Sequence, residues 1–347
     1  MSANRPSQRR SLGGTWLGAS ERHALILLVI SVLLILGSRF INPALGSWNQ
    51  AVAILVVSTF VMIAAFGQQT VILTGGLDLS IPSNMALGAI LMFSMVGAGG
   101  SLFWGIPMVL AVTGAIGALN GMGVALMRMP PLIMTLGMDF ILKSALLGAT
   151  GGAPQGTAPT ALTSLFASGW LGMPPVVYLM AAFIVLATVL QRRTAFGRMV
   201  YAIGTNPDAA RIAGLPVRRV VISCYVLSGA AAGFAGILMV GFSHGATLNS
   251  GDNILIPSIA AVVLGGTSIL GGRGIYPGAV AGALLLATFS TIILTLGIHE
   301  GWRILIYGAV ILWALLTLEG NAAERLGRLR RTLLPARDRS PHSPEPA

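Results

Sequence analysis

Charge is scarce in this chain. Of 347 residues only 9% are charged, and ten are acidic. A soluble domain carries about 25% charged residues, so a water-facing surface is excluded and the bilayer has to be the solvent. Cysteine is nearly absent. Cys224 stands alone in an apolar run, which excludes an intrachain disulfide and a cysteine-based metal site. Lysine is reduced to Lys143, itself in an apolar run. The phosphate-binding pattern G-x-x-x-x-G-K-[ST] is therefore missing, and with it ATP hydrolysis by that route. The histidines (His23, His244, His299, His342) show no metal-ligand spacing, and no Ser–His or His–His–Asp grouping marks an intramembrane protease. The expectation is no enzyme activity, no catalytic residue, no metal and no cofactor.

What is abundant is hydrocarbon: 55% of the residues are hydrophobic. A crossing of the bilayer needs about 20 apolar residues. Apolar runs fall near 24–40, 50–73, 82–98, 102–120, 132–149, 174–190, 220–241, 256–271, 277–297 and 303–318. The expected fold is all-α and polytopic, with about ten transmembrane helices. A cytoplasmic arm (1–23) precedes the transmembrane domain (24–318), which contains a polar interlude at 191–219. A tail (319–347) whose end is rich in Pro, Ser and charge follows, and is expected to be disordered. The basic N-terminus followed by an apolar run lacks a small-residue cleavage site after Gly37, so a retained first helix is expected.

The net charge of +11 is placed for topology and anionic lipid, not for nucleic acid. Arg5, Arg9, Arg10 and Arg22 precede the first run; Arg192, Arg193, Arg198, Arg211, Arg218 and Arg219 fill the interlude; six more lie beyond the last run. Such clusters mark the cytoplasmic side. With six runs before the interlude and four after it, both termini and the interlude share that side. Arg128 and Arg273 agree, His299 and Glu300 fall outside, and Arg39 is an exception. Two stretches, 148–170 and 242–253, are expected as external loops.

Glycine numbers 45. In lipid, helices associate by close backbone approach at small residues, and Gly117-Gly121, Gly229-Gly233 and Gly278-Gly282 have that spacing. The pairs Gly75-Gly76, Gly265-Gly266 and Gly271-Gly272 read as breaks, which at membrane depth occur only beside a cavity or buried in protein. LTGGLDLSIPS (73–83) and LGGTSILGGRG (264–274) each set a glycine pair after an apolar run and before a Gly/Ala-rich helix, which suggests two pseudo-repeated five-helix halves. Ionisable groups inside spans are functional candidates. Asp139 and Lys143 share a helix face, as a structural pair or a cavity lining. Asp78 is placed to cap the helix starting near Ile81. Gln68, Gln69, Asn84 and Asn120, with Asp139, are the candidates to line a pathway for a neutral, hydroxyl-bearing solute.

The interlude contains NPDAARIAGLPV (206–217). Asn206 or Asp208 can cap a short helix, Pro207 suits its first turn, and Gly214 with Pro216 ends it. A helix of about two turns is marginal alone and needs a surface to rest on, either lipid headgroups or protein. Asp208-Ala209-Ala210 followed by Gly214 resembles the D/E-A-A-x-x-x-G pattern of permease subunits in ATP-binding-cassette importers. TGGLDLSIPS, RMPPLIMTLGM (128–138), AIGTNPDAARIAGLPV (202–217) and VVLGGTSILGGRGIYPGAVAGALL (262–285) together resemble the ribose/arabinose/xylose-type permeases, within the branched-chain-amino-acid and monosaccharide permease family. The resemblance spans about 50–318. It implies a permease that pairs with a second copy or a paralogue, a cytoplasmic ATPase and an extracytoplasmic solute-binding protein, in a bacterial inner membrane. It implies import of a monosaccharide or similar solute, with Asn206, Asp208, Ala209, Ala210, Arg211 and Gly214 in the segment (205–216) that couples to the ATPase. An ion-coupled secondary transporter is the alternative; it calls for several acidic residues within spans, where only Asp139 clearly qualifies.

Overall fold

The computed structural model describes residues 19–312, apart from 41–44, 98, 168, 170, 171, 298, 300, 303, 310 and 311. Most of the arm and all of the tail lie outside those residues. Among the described residues every regular element is a helix. The helices are α1 (Ala19–Ser38), α2 (Trp48–Ile72), α3 (Ile81–Leu91), α4 (Leu102–Ala125), α5 (Pro131–Thr150) and α6 (Thr160–Thr163). There follow α7 (Pro175–Arg193), α8 (Ala195–Thr205), α9 (Pro207–Ile212), α10 (Val217–Ser243), α11 (Leu255–Leu264) and α12 (Tyr276–Thr295).

Seven of these, α1, α2, α4, α5, α7, α10 and α12, are long and apolar enough to cross a membrane. The run at 82–98 becomes α3 continued by a π-helical turn, Met92–Val96. The run at 256–271 yields only the ten residues of α11 before the chain breaks at Gly265 and Gly266. The backbone turns there because Gly266 takes φ +84, a left-handed conformation that only glycine adopts freely. Of the run at 303–318, residues 304–309 are helical and most of the remainder lies outside the described residues.

Starts and stops follow local chemistry. The Ser47 hydroxyl accepts the amide of Gln50 at 3.2 Å to open α2, and Thr194 accepts that of Gly197 at 3.1 Å to open α8. α5 opens on Pro130-Pro131 and closes on left-handed Gly151.

α10 is the central mast, with α2, α3 and α4 packed around it. Glycine is what lets the backbones approach. A Cβ at Gly117 would strike the Tyr225 carbonyl, and one at Gly121 would lie 2.7 Å from the Ile222 Cα. In return Gly229 and Gly233 of α10 face Thr113 of α4, and Gly233 also meets Gly88 of α3. Gly278 and Gly282 seat α12 on Gly265 and Ala261. All three small-residue pairs thus pack within the chain. The largest core gathers Phe66, Met85, Ala232, Val262 and Tyr276, and the Tyr276 hydroxyl donates to the Met62 carbonyl at 3.0 Å. α1 rests on α12 through Leu27 and Ala281, and Arg192 reaches Glu21 at 2.7 Å.

Both stretches expected as external loops fold back onto the helices. After α5, Thr157 and Ser94 tie the chain to the end of α3 through Thr157 Oγ1→Gly97 O (2.6 Å) and Ser94 Oγ→Gln155 O (2.8 Å). After α10, Ala246 is buried with residues of α3, and Gly251 lies against the Pro82 backbone at the opposite end of α3. The segment 246–254 therefore runs along α3 and returns the chain to the middle of the bundle.

Candidate translocation and coupling site

Two breaks that lie nearly 200 residues apart in sequence meet in space. The Gly272 amide donates to the Leu73 carbonyl at 3.0 Å, and Gly271 sits between Leu73, Gly75 and Gly204. Gln69 Nε2 donates to Thr267 at 2.8 Å, and Gln191 Nε2 to Gln69 Oε1 at 3.3 Å, so α7 is tied in as well. Each break exposes backbone groups that hydrocarbon cannot satisfy; here the Leu73 carbonyl of one is satisfied by the Gly272 amide of the other.

The first break continues into a buried polar knot. Asp78 Oδ1 accepts the Ser80 amide (3.0 Å) and hydroxyl (2.6 Å), and Oδ2 accepts the Ser228 hydroxyl at 2.7 Å. Asn120 Nδ2 donates to Ser80 Oγ at 2.8 Å, and the Leu79 amide donates to Thr135 at 3.0 Å. The N-terminal capping position of α3 is occupied by Ser80 and not by Asp78. Asp78 instead makes a tight turn onto Ser80 and ties it to α10, because a carboxylate two residues before the cap reaches both.

The predicted pathway residues separate into two groups. Gln69, Asn84 and Asn120 are buried and bonded, Asn84 through Nδ2 to the Thr113 carbonyl at 3.1 Å. Gln68 is also buried, and neither of its side-chain polar atoms has a partner among the described residues. Oδ1 of Asn84, Asn120 and Asp139 and Oε1 of Gln191 share that condition. A buried amide without partners costs about 1–3 kcal/mol, so this arrangement leaves hydrogen-bonding capacity inside the bundle.

Asp139 and Lys143 do pair, at 3.2 Å, and Lys143 also reaches Asp252 at 3.0 Å. Asp252 was not singled out in the sequence. No local signal could have found it, since the contact depends on the path of 246–254 back into the bundle. The Lys143 side chain keeps 35% of its surface exposed. It stands 12 residues into α5, about 18 Å from the helix start at 1.5 Å per residue.

α8 sits on the two joined breaks and leads into α9. The Tyr201 hydroxyl donates to the Gly274 carbonyl at 2.8 Å; burial, opposed weakly by Arg192, pushes its phenol above the ordinary value and keeps it a donor. Asn206 caps α9, its Oδ1 accepting the amides of Asp208 (3.1 Å) and Ala209 (2.9 Å). Pro207 opens the helix, Gly214 at φ +79 closes it, and Arg211 pairs with Asp208 at 2.9 Å. Ala210 alone turns inward, into a cluster with Val71, Leu73, Cys224 and Tyr225. Asn206, Asp208, Ala209, Arg211 and Gly214 are exposed, and Ile212 is 89% exposed. Ile212 belongs to the exposed face, although its sequence context reads only as helix-forming.

Broken helices joined inside an all-helical bundle, with amides and a carboxylate at the joint, define the class: a polytopic membrane transport protein. A family model described as "Branched-chain amino acid transport system / permease component" matches residues 50–315, and the chain belongs to that permease family. The chain is 34% identical over 322 residues to the ribose import permease protein RbsC of Escherichia coli (strain K12), covering 91% of this chain and 98% of that one. It is 36% identical over 307 residues to the fructose import permease protein FrcC of Rhizobium meliloti, covering 84% and 82%. It is 33% identical over 296 residues to the autoinducer 2 import system permease protein LsrC of Klebsiella pneumoniae, covering 84% and 85%. No solved structure matches. The chain is a multi-pass permease of the inner membrane.

Proposed function

We propose that this permease is the membrane-spanning subunit of an ATP-driven importer for a monosaccharide or a similarly sized, hydroxyl-rich solute. The observation that carries the reading is the direct seating of α8, which leads straight into α9, on the two joined helix breaks. A push on exposed α9 from a separate ATPase would pass to α8, which packs against it, and from Gly204 to the Leu73–Gly272 junction beside the Asp78 and Gln69 networks. Neutral amides with unused hydrogen-bonding capacity suit hydroxyl groups, which supports an uncharged solute over an ion-coupled mechanism. Ribose, fructose and autoinducer 2 are what the named relatives import; the choice among such solutes rests with the pathway residues Gln68, Gln69, Asn84, Asn120 and Asp139.

In this reading the termini and α9 face the cytosol, the bundle has about ten crossings, and the two breaks are equivalent parts of two five-helix halves. The equivalence is supported by each break lying between a helix and a Gly/Ala-rich successor and by their mutual packing. A second permease, identical or paralogous, packs along α5. Lys143 cannot face hydrocarbon at that depth, yet it is one-third exposed, and Phe140 and Ile141 beside it are more than 60% exposed. A partner surface enclosing a polar passage satisfies both.

The test is solute uptake into vesicles. Uptake of labelled sugar should require the permease, its ATPase, ATP and the solute-binding protein together. Movement driven by an ion gradient through the permease alone would favour secondary transport.

A further inference from the structure

A cavity of about 600 Å³ opens beside α9, and three arginines are among the residues lining it: Arg128 from the α4–α5 turn, Arg211 from α9 and Arg218 from the first turn of α10. Among the described residues that line it none is acidic; Asp208 pairs with Arg211 at 2.9 Å, and Asp78, two residues beyond the floor at Gly76, is engaged by Ser80 and Ser228. The cationic character is deepened by the backbone. α5 and α10 both begin at this cavity, through Pro131 and Val217, and neither helix has a side chain capping its free amides. Arg128 is held at φ +57, a left-handed conformation that is costly for a residue with a Cβ. The floor is the first helix break, at Gly75 and Gly76, with Tyr225 beside it.

We propose that this cleft is a binding site for a phosphate ester. Guanidinium groups bind phosphate through paired charge-assisted hydrogen bonds, and helix starts add their partial positive charge. The volume lies within the ~300–1,000 Å³ range of small-molecule pockets, leaving room beyond one phosphate for a sugar-sized remainder. The ligand is then a phosphorylated small molecule from the cytosol or the headgroup of an anionic phospholipid. Either one bridges α9 to the ends of α4 and α10, so occupancy restrains α9. The site rests on the proposed cytosolic placement of α9, but binding is measured without transport, so the two readings fail separately.

The probes are ribose 5-phosphate, inorganic phosphate and neutral ribose, added to the purified permease in phosphatidylcholine nanodiscs. Both phosphates should slow deuterium exchange in residues 207–215 and raise the melting temperature, whereas ribose should not. Affinity should fall with added NaCl and drop roughly tenfold in the Arg128→Asn, Arg218→Gln double variant; asparagine suits the left-handed position. If phosphatidylglycerol in the discs abolishes the response, and co-purifies with the wild type more than with the double variant, the headgroup is the ligand. If neither phosphate nor phosphatidylglycerol distinguishes wild type from variant, the proposal is overturned. Loss of ATPase-subunit binding in the variant, with no response to phosphate in the wild type, overturns it in favour of a protein dock.

Discussion

Asp78 shows how a single carboxylate can organise a helix break. Its three accepted bonds, two from Ser80 and one from Ser228, engage both carboxylate oxygens and fasten the start of α3 to α10. Asp78→Ala should lower stability by about 3 kcal/mol, because three buried donors lose their acceptor at once. Asp78→Asn should cost only about 1 kcal/mol, since the amide oxygen keeps the Ser80 bonds and the Ser228 hydroxyl can turn to accept. Thermal unfolding of the two purified variants in detergent separates these outcomes; equal melting temperatures would contradict the assigned geometry. Glycine supplies a second contrast at this scale. Gly117→Val should cost about 1–3 kcal/mol by overpacking against the Tyr225 carbonyl. Gly37→Ala in α1, where a Cβ meets nothing within 4 Å, should stay within about 0.5 kcal/mol of the wild type by the same measurement.

At the scale of elements, α9 is the informative one. Six residues do not hold a helix by their own hydrogen bonds, so the Asn206 cap and the buried Ala210 methyl supply its order from either side. Asn206→Ala should weaken α9 by about 1 kcal/mol, visible as faster deuterium exchange over 207–212, and it should lower transport per ATP hydrolysed. Ile212→Ala should leave the bundle intact, because the side chain touches little of it. It should weaken the ATPase complex about tenfold, the usual effect of losing an apolar anchor. Unchanged co-purification of the ATPase would place the docking surface elsewhere on the interlude. α11 teaches the opposite lesson. Its run of apolar sequence reads as a full crossing, yet Gly265 must meet Gly278 and Gly266 must turn the chain, so the helix stops after ten residues.

For the molecule as a whole, the broad exposed face of α5 is where a second permease is expected. The lone cysteine, Cys224, is buried, so an introduced thiol can be read without background. Ser144→Cys, on that face, should give a disulfide-linked dimer under mild oxidant on a denaturing gel. Leu33→Cys on α1, which is 61% exposed, should remain monomeric. The reverse pattern would move the subunit contact to α1.

Periodicity and composition by themselves determined that this chain is helical and lives in lipid, because charge scarcity and apolar runs act through solvation, which is local. They also marked the glycine pairs as breaks and residues 206–214 as a short capped helix, because turn and cap chemistry is set within a few neighbours. Only the tertiary structure decided that the breaks at Leu73–Gly76 and Thr267–Gly274 would join beneath α8, that Asp252 would reach Lys143, and that Arg128, Arg211 and Arg218 would share one cleft. Those arrangements depend on segments far apart along the chain meeting in the bundle, where backbone groups and charges that lipid cannot satisfy find partners, as Gly272 does with Leu73 and Lys143 with Asp252.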